Sequence, residues 1–166
     1  MVTDKAVNTA QTLSREDADK LIRHLGEETG LKDLQLDSEG AAWFADSAGN
    51  VSGLIHLENR PGLLVLAGMP AATVRSGAAL DMMLRANLNT MDAAGGVFGH
   101  VPGRDEPFLM AMVPAEAANA AGLSEYLDAF FDLVAEWREE LDGPEYDPAG
   151  GIDNTAAHRP TAGQPV

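Results

Sequence analysis

AAWFADSAGNVSGLIHLENRPGLLVLA, residues 41–67, is the stretch on which the fold turns. It contains three apolar runs, Ala41 to Ala45, Val51 to Leu57 and Leu63 to Ala67, separated by Asp46 to Asn50 and Glu58 to Gly62. Each run has strand length, and each gap carries turn chemistry, with Gly49 and Asn50 in the first and Pro61 and Gly62 in the second. Gaps this short turn the chain back on itself, so the stretch predicts a three-stranded antiparallel meander.

Helical patterns flank the meander. On its N-terminal side Ser14 is a good N-cap, Glu16 and Asp17 place negative charge in the first turn, and Ala18, Leu21, Ile22 and Leu25 form one apolar stripe. Gly26 or Gly30 ends this helix. On the C-terminal side a second helix is predicted from Ser76 to Asn89, with Leu80, Met83, Leu84 and Leu88 on one face. Val97 to Val101 and Pro107 to Val113 then read as two more strands, joined through Pro102, Gly103, Arg104, Asp105 and Glu106. The last helix, Ser124 to Leu141 with Ser124 as its cap, carries Tyr126, Leu127, Phe130, Phe131, Val134, Trp137 and Leu141.

The order α-βββ-α-ββ-α predicts an α+β domain with helices packed on an antiparallel sheet. It should occupy residues 14–141. Residues 1–13 lack periodicity, and residues 142–166 combine Gly143, Pro144, Pro148, Gly150, Gly151, Pro160, Gly163 and Pro165 with few large apolar groups. Both flanks are expected to be disordered, because such segments bury too little surface to offset their ordering entropy.

Composition narrows the function classes. A chain of 166 residues with a formal net charge of -15 suits one domain and would repel nucleic acid. The acidity serves solubility, or a basic or aggregation-prone client. With no cysteine, disulfides, thiolate metal sites and a cysteine nucleophile are excluded. No apolar run approaches the roughly 20 residues of a membrane span, and Met1 to Leu13 is too polar for a secretory signal, so a cytoplasmic location without membrane insertion is expected.

Chemistry-bearing patterns are sparse. His24, His56, His100 and His158 are scattered without ligand spacing, and His56 and His100 are expected on a polar strand face. The glycines from Ala93 to Gly99 lack a phosphate-loop pattern, and no serine stands in GxSxG. Paired acids such as Asp17 with Asp19 and Glu139 with Glu140 read as solvated helix faces. No enzyme and no cofactor are expected; a small hydrolase would need a deep site assembled from Asp, His and Ser. By contrast, Leu63 to Leu66 and Phe108 to Val113 are apolar on both alternate sets. Either helices cover both faces within the chain, or the second face meets another subunit or a client. Met69, Met82, Met83, Met91, Met110 and Met112 would supply either core or adaptable binding surface.

Four stretches together resemble a known family. Gly30, Leu31, Leu34, Leu36, Asp37 and Gly40 are similar to a "GL..L.LD..G" pattern, and Met82, Met83, Leu84, Arg85, Ala86 and Asn87 to "LL.AN". Gly96, Val97, Phe98 and Gly99, then Phe108, Leu109, Met110 and Ala111, follow at similar spacing. Over roughly Asp17 to Leu141 the chain thus resembles the class I type III secretion chaperones, the Tir chaperone family. The resemblance implies a bacterial cytoplasmic homodimer that uses no nucleotide or metal and holds the N-terminal segment of an effector protein in extended form. The secretion ATPase is a further candidate partner. It implies dimer contacts at Leu80, Met83, Leu84, Leu88, Val97 and Phe98. It also implies client grooves lined by Leu21, Ile22, Leu25, Trp43 and Leu54, with Ile22 on the exposed part of its stripe. A module of the same fold serving regulation or stress is the alternative, since fold does not fix function.

Overall fold

The computed structural model describes residues 13–59, 62–69, 77–90 and 96–142. The flanks expected to be disordered, and Ser76 at the expected start of the second helix, fall outside these residues, apart from Leu13 and Asp142. The described chain runs α1 (Arg15–Thr29), β1 (Ala41–Ala45), β2 (Val51–His56), β3 (Leu63–Gly68), α2 (Gly77–Thr90), β4 (Val97–His100), β5 (Pro107–Met112), a 3-10 turn (Ala115–Ala117) and α3 (Ala120–Asp142). This is the α-βββ-α-ββ-α order read from the sequence.

Local chemistry sets the element ends. The Ser14 hydroxyl accepts the Asp17 N–H at 3.1 Å and starts α1; Gly30, at φ 76°, ends it in the left-handed conformation. Gly26 lies inside the helix, where a Cβ would stand 2.7 Å from the Leu31 carbonyl oxygen and 2.9 Å from the Leu34 Cβ. Its missing side chain lets the returning chain close over the helix. Asp19 fastens that return by accepting the Leu36 N–H at 2.8 Å. Asp37 accepts the N–H groups of Glu39 and Ala41 at 2.8 and 3.0 Å, shaping the turn into β1. Asp46 repeats the device between β1 and β2, accepting the N–H groups of Ala48 and Asn50, both at 2.9 Å. The last helix departs from the expected start at Ser124. It begins at Ala120, because Asn119 caps it by accepting the Gly122 N–H at 3.1 Å. Ser124 is therefore an interior residue.

The five strands form one antiparallel sheet in the order β1-β2-β3-β5-β4. In the register, Ala42, Leu54, Val65 and Ala111 lie abreast on one face, as do Phe44, Ser52, Ala67, Leu109 and Phe98. This face joins Ile22 and Leu25 of α1, Met83 and Ala86 of α2, and Leu123, Leu127, Phe130 and Val134 of α3 in a single core. Edge-to-face rings tie α3 to the outer strands: Phe131 on Phe44 at 6.1 Å and Trp137 on Phe98 at 5.0 Å. Arg138 adds a polar tie, donating to the Gly68 carbonyl at 2.8 Å and to Asp46 at 3.2 Å. His56 lies on this core face and is buried, against the polar-face expectation. Its Nε2 meets the Leu13 carbonyl at 2.9 Å, a partner that strand alternation does not show.

Two carboxylates that brace the fold are held below the usual carboxylate range. For Asp19 the main cause is the hydrogen bond from Arg23, which with the Leu36 N–H outweighs partial burial. For Asp46 partial burial pushes upward but is outweighed by the side chain and N–H of Asn50, the Ala48 N–H and the charge of Arg138. A depressed folded value means stability that is complete above the unfolded carboxylate pKa of about 3.9 and lost as pH falls through the folded value. The thermal midpoint, followed by circular dichroism, should therefore hold from pH 7 to about 5 and fall below about pH 4. In the Asp19→Asn, Asp46→Asn double variant that acid-induced fall should be smaller.

Candidate functional site

The two edges of the sheet are treated differently. At the β4 edge, Phe98 turns its N–H and C=O outward, and the Asn87 side chain of α2 satisfies both. Its Oδ1 accepts the N–H at 2.7 Å and its Nδ2 donates to the carbonyl at 2.9 Å. One amide thus stands in for a neighbouring strand at the middle of β4, while His100, two residues on, keeps outward groups with no partner among the described residues. The contact also fixes the rotation of α2: Met83 and Ala86 enter the core, while Leu80, Leu84 and Leu88 face outward. Leu84 and Leu88 are 66% and 74% exposed, and Val97 at the same edge is also exposed. Four large apolar side chains therefore line one exposed strip of α2 and β4.

At the β1 edge the pairing leaves groups open. Gly40 accepts from His56 and Asp46 donates to Asn50, so Ala42 and Phe44 point their backbone groups toward β2, while Ala41, Trp43 and Ala45 point theirs outward. Asp37 satisfies Ala41, taking its N–H with the carboxylate and giving its own N–H to the Ala41 carbonyl. Trp43 and Ala45 keep outward N–H and C=O groups with no partner among the described residues. This is the geometry that accepts an added strand.

The sheet face turned away from the helical core is also apolar. Ala41, Leu66 and Phe108 are buried yet lie outside the main core cluster. Here large side chains lie over glycines of neighbouring strands. Trp43 covers Gly53, Met110 covers Gly99, and Met112 reaches Gly62. Met112 is exposed, and Trp43, Ile55, Leu64 and Met110 are partly so. Tryptophan and methionine side chains thus pave this face with adaptable apolar surface.

The structure distributes the expected binding residues unevenly. Leu21 and Trp43 keep partial exposure, but Ile22 and Leu54 have none and Leu25 is buried. Groove lining by Ile22, Leu25 and Leu54 is corrected: all three pack in the core between α1 and the sheet, so a client cannot reach them without opening it. Among the expected dimer contacts, Leu80, Leu84, Leu88 and Val97 are exposed, whereas Met83 and Phe98 are buried. The last two act beneath the strip rather than on it. Sequence reasoning missed the roles of Asn87, Asp37 and Ala45. The signal for Asn87 is a weak helix former placed in the last turns of an apolar helix; no comparable signal marks Ala45.

Among the described residues no three His, Asp or Glu side chains gather as a metal site. His24 pairs with Glu28 on the exposed side of α1, His100 is exposed, and His158 lies outside the described residues. Among the described residues no helix is long and apolar enough to cross a membrane.

The family model of the Tir chaperone protein (CesT) family matches residues 20–138. Comparison with curated proteins gives no significant match. Among solved structures, the chain is similar to one in the ExsC-ExsE complex, with 20% identity, a TM-score of 0.66, and coverage of 76% of this chain and 95% of that one. It is similar to another in the HopA1-SchA chaperone-effector complex, with 16% identity, a TM-score of 0.61, and coverage of 75% and 95%. A third likeness, with 16% identity, a TM-score of 0.50 and coverage of 72% and 98%, is to the Yersinia pestis type III secretion chaperone SycH in complex with a stable fragment of YscM2. At these identities the structural likeness establishes the shared fold.

If Asn87 is the group that satisfies the middle of β4, Asn87→Ala should leave two backbone groups of Phe98 unsatisfied and cost about 1–3 kcal/mol. Urea unfolding should show the loss, and the Phe98 amide should exchange faster than in the parent. Asn87→Asp, which keeps only an acceptor, should fall between the two.

Proposed function

The chain belongs to the Tir chaperone protein (CesT) family, and from that premise we propose that it is a type III secretion chaperone of the bacterial cytoplasm. It binds the N-terminal segment of one or more effector proteins in extended form, and keeps them soluble and competent for secretion. The observation that carries this reading is the inequality of the two sheet edges. At β4 the Asn87 amide and α2 occupy the edge at Phe98, leaving only the end of the strand at His100, whereas β1 presents Trp43 and Ala45 in a row to an incoming strand. Backbone pairing there supplies affinity without demanding one sequence, and partly exposed Leu21 and Trp43 provide apolar contacts beside it. The support from relatives is the family match itself, together with the same fold in complexes whose descriptions name a chaperone with an effector or a bound fragment.

The exposed strip of Leu80, Leu84, Leu88 and Val97 serves a second copy of the chain in this reading. A twofold contact uses the same patch on both subunits, and a continuous row of leucines along one helix is self-complementary. Holding an aggregation-prone segment needs binding surface rather than bond-making chemistry, so we assign no catalytic step. The direct test is to recover the tagged chain from its native host, identify bound protein by mass spectrometry, and measure secretion of that protein with the chaperone gene deleted. Capture of no secreted protein, with secretion unchanged, would sink the proposal.

Two variants separate the surfaces. Leu84→Asp with Leu88→Asp changes only exposed positions, so it should alter the single chain's stability by little while converting a dimer to monomer. Light scattering at micromolar concentration reads the outcome, and a monomeric parent would remove the dimer from the proposal. Ala45→Pro removes an outward N–H that no strand of the chain uses, so folding should persist while effector affinity drops about tenfold or more by calorimetry. Because the contacts are mainly apolar and backbone, affinity should survive about 0.5 M salt, where charge pairs are largely screened.

A further inference from the structure

The outer sheet face carries a contact that strand addition alone leaves unused. The Trp43 indole lies across Gly53, where a Cβ would stand 2.6 Å from the ring, and it meets Phe108 edge-on at 6.2 Å between centroids. Over the indole stands the Arg104 guanidinium, its Cζ 4.7 Å from the ring centroid. Arg104 comes from the turn between β4 and β5, at the far side of the sheet from β1. Its other charged neighbour is Glu106, at 4.0 Å, and both side chains are about one-quarter to one-third exposed. The face thus holds an aromatic platform already occupied by a guanidinium that is loosely tethered at the surface.

We propose that the Trp43 platform is a subsite for an arginine side chain of the bound segment, with Arg104 as its placeholder in the free protein. The inference rests on the reading of β1 as the strand-accepting edge. A residue paired opposite Trp43 on an added strand projects to the same face as the indole, with Cβ atoms roughly 5 Å apart. From there an arginine reaches over the ring. Exchanging one guanidinium for another preserves the cation–π contact, and the displaced Arg104 remains beside Glu106. The chain's formal charge of -15 draws a cationic segment toward it. Arginine is favoured over lysine because its planar, weakly hydrated group stacks on an aromatic face.

The test uses the full chain with Trp137→Phe, which leaves Trp43 as the single tryptophan. Arg104→Ala in this background uncovers the indole and should shift its emission to the red; Arg104→Gln serves the same purpose if the alanine variant unfolds. Ethylguanidinium at about 0.3 M should partly reverse the shift in the variant and leave the parent unchanged, while equal urea or sodium chloride does neither. A short synthetic strand-forming peptide with one central arginine should bind the variant about fivefold more tightly than the parent, and its glutamine counterpart should show no such gain. No reversal by ethylguanidinium, or equal gains for the two peptides, overturns the inference. Adding Ala45→Pro distinguishes the two readings: peptide binding that survives it, with the guanidinium response intact, counts against the β1 edge and leaves the platform standing.

Discussion

A backbone N–H or C=O at the margin of a sheet needs a partner, and this chain meets that need unequally at its two margins. The Asn87 amide gives Phe98 both of its hydrogen bonds, and in doing so seats α2 along β4. Once α2 is held there, helical geometry does the rest. Met83 and Ala86 turn into the core, and Leu80, Leu84 and Leu88 are left on the outside. One polar contact thereby both satisfies the middle of an edge strand and supports the exposure of an apolar strip.

The opposite margin follows from the turn chemistry around Asp37. By satisfying Ala41 it blunts the start of β1 but leaves Trp43 and Ala45 facing outward. A short open edge limits uncontrolled pairing between copies while retaining room for an extended segment. The glycines on the outer face extend this economy. With no Cβ at Gly53, the Trp43 ring lies flat, and Phe108 beneath it is buried without a helix side chain from the main core cluster. A sheet face can thus be apolar and partly shielded while still being the accessible face.

Charge is deployed in two ways. Within the fold, Asp19, Asp37 and Asp46 spend their carboxylates on backbone N–H groups, organising turns that have few apolar residues to hold them. Beyond these, acidic side chains dominate the exposed side of α3, where Glu125, Asp128, Asp132, Glu136, Glu139 and Glu140 all face solvent. Like charge on this side of α3 disfavours contact between copies there and leaves the leucine strip of α2 as the favoured meeting surface.

Periodicity and turn residues were enough to read the order of helices and strands, the Ser14 cap and the apolar stripes, because these depend on near neighbours along the chain, and they narrowed the first helix's end to Gly26 or Gly30, of which the structure uses Gly30. Ser124 shows the limit even there, since Asn119 offered a competing cap upstream. The stripe of Ala18, Leu21, Ile22 and Leu25 was legible, but its destination was not: a stripe that fills a core and one that lines a groove have the same spacing. Ile22 and Leu54 became core because α1 packs on the inner face of the sheet, while Gly26 lets the chain returning to β1 close over the helix. Likewise the two-faced strands announced apolar surface without saying which face the helices would take. Strand order, the satisfied middle of β4, the open β1 edge and the stacking of Arg104 on Trp43 join residues far apart in sequence, so only tertiary packing, which sets distances rather than spacings, could decide them.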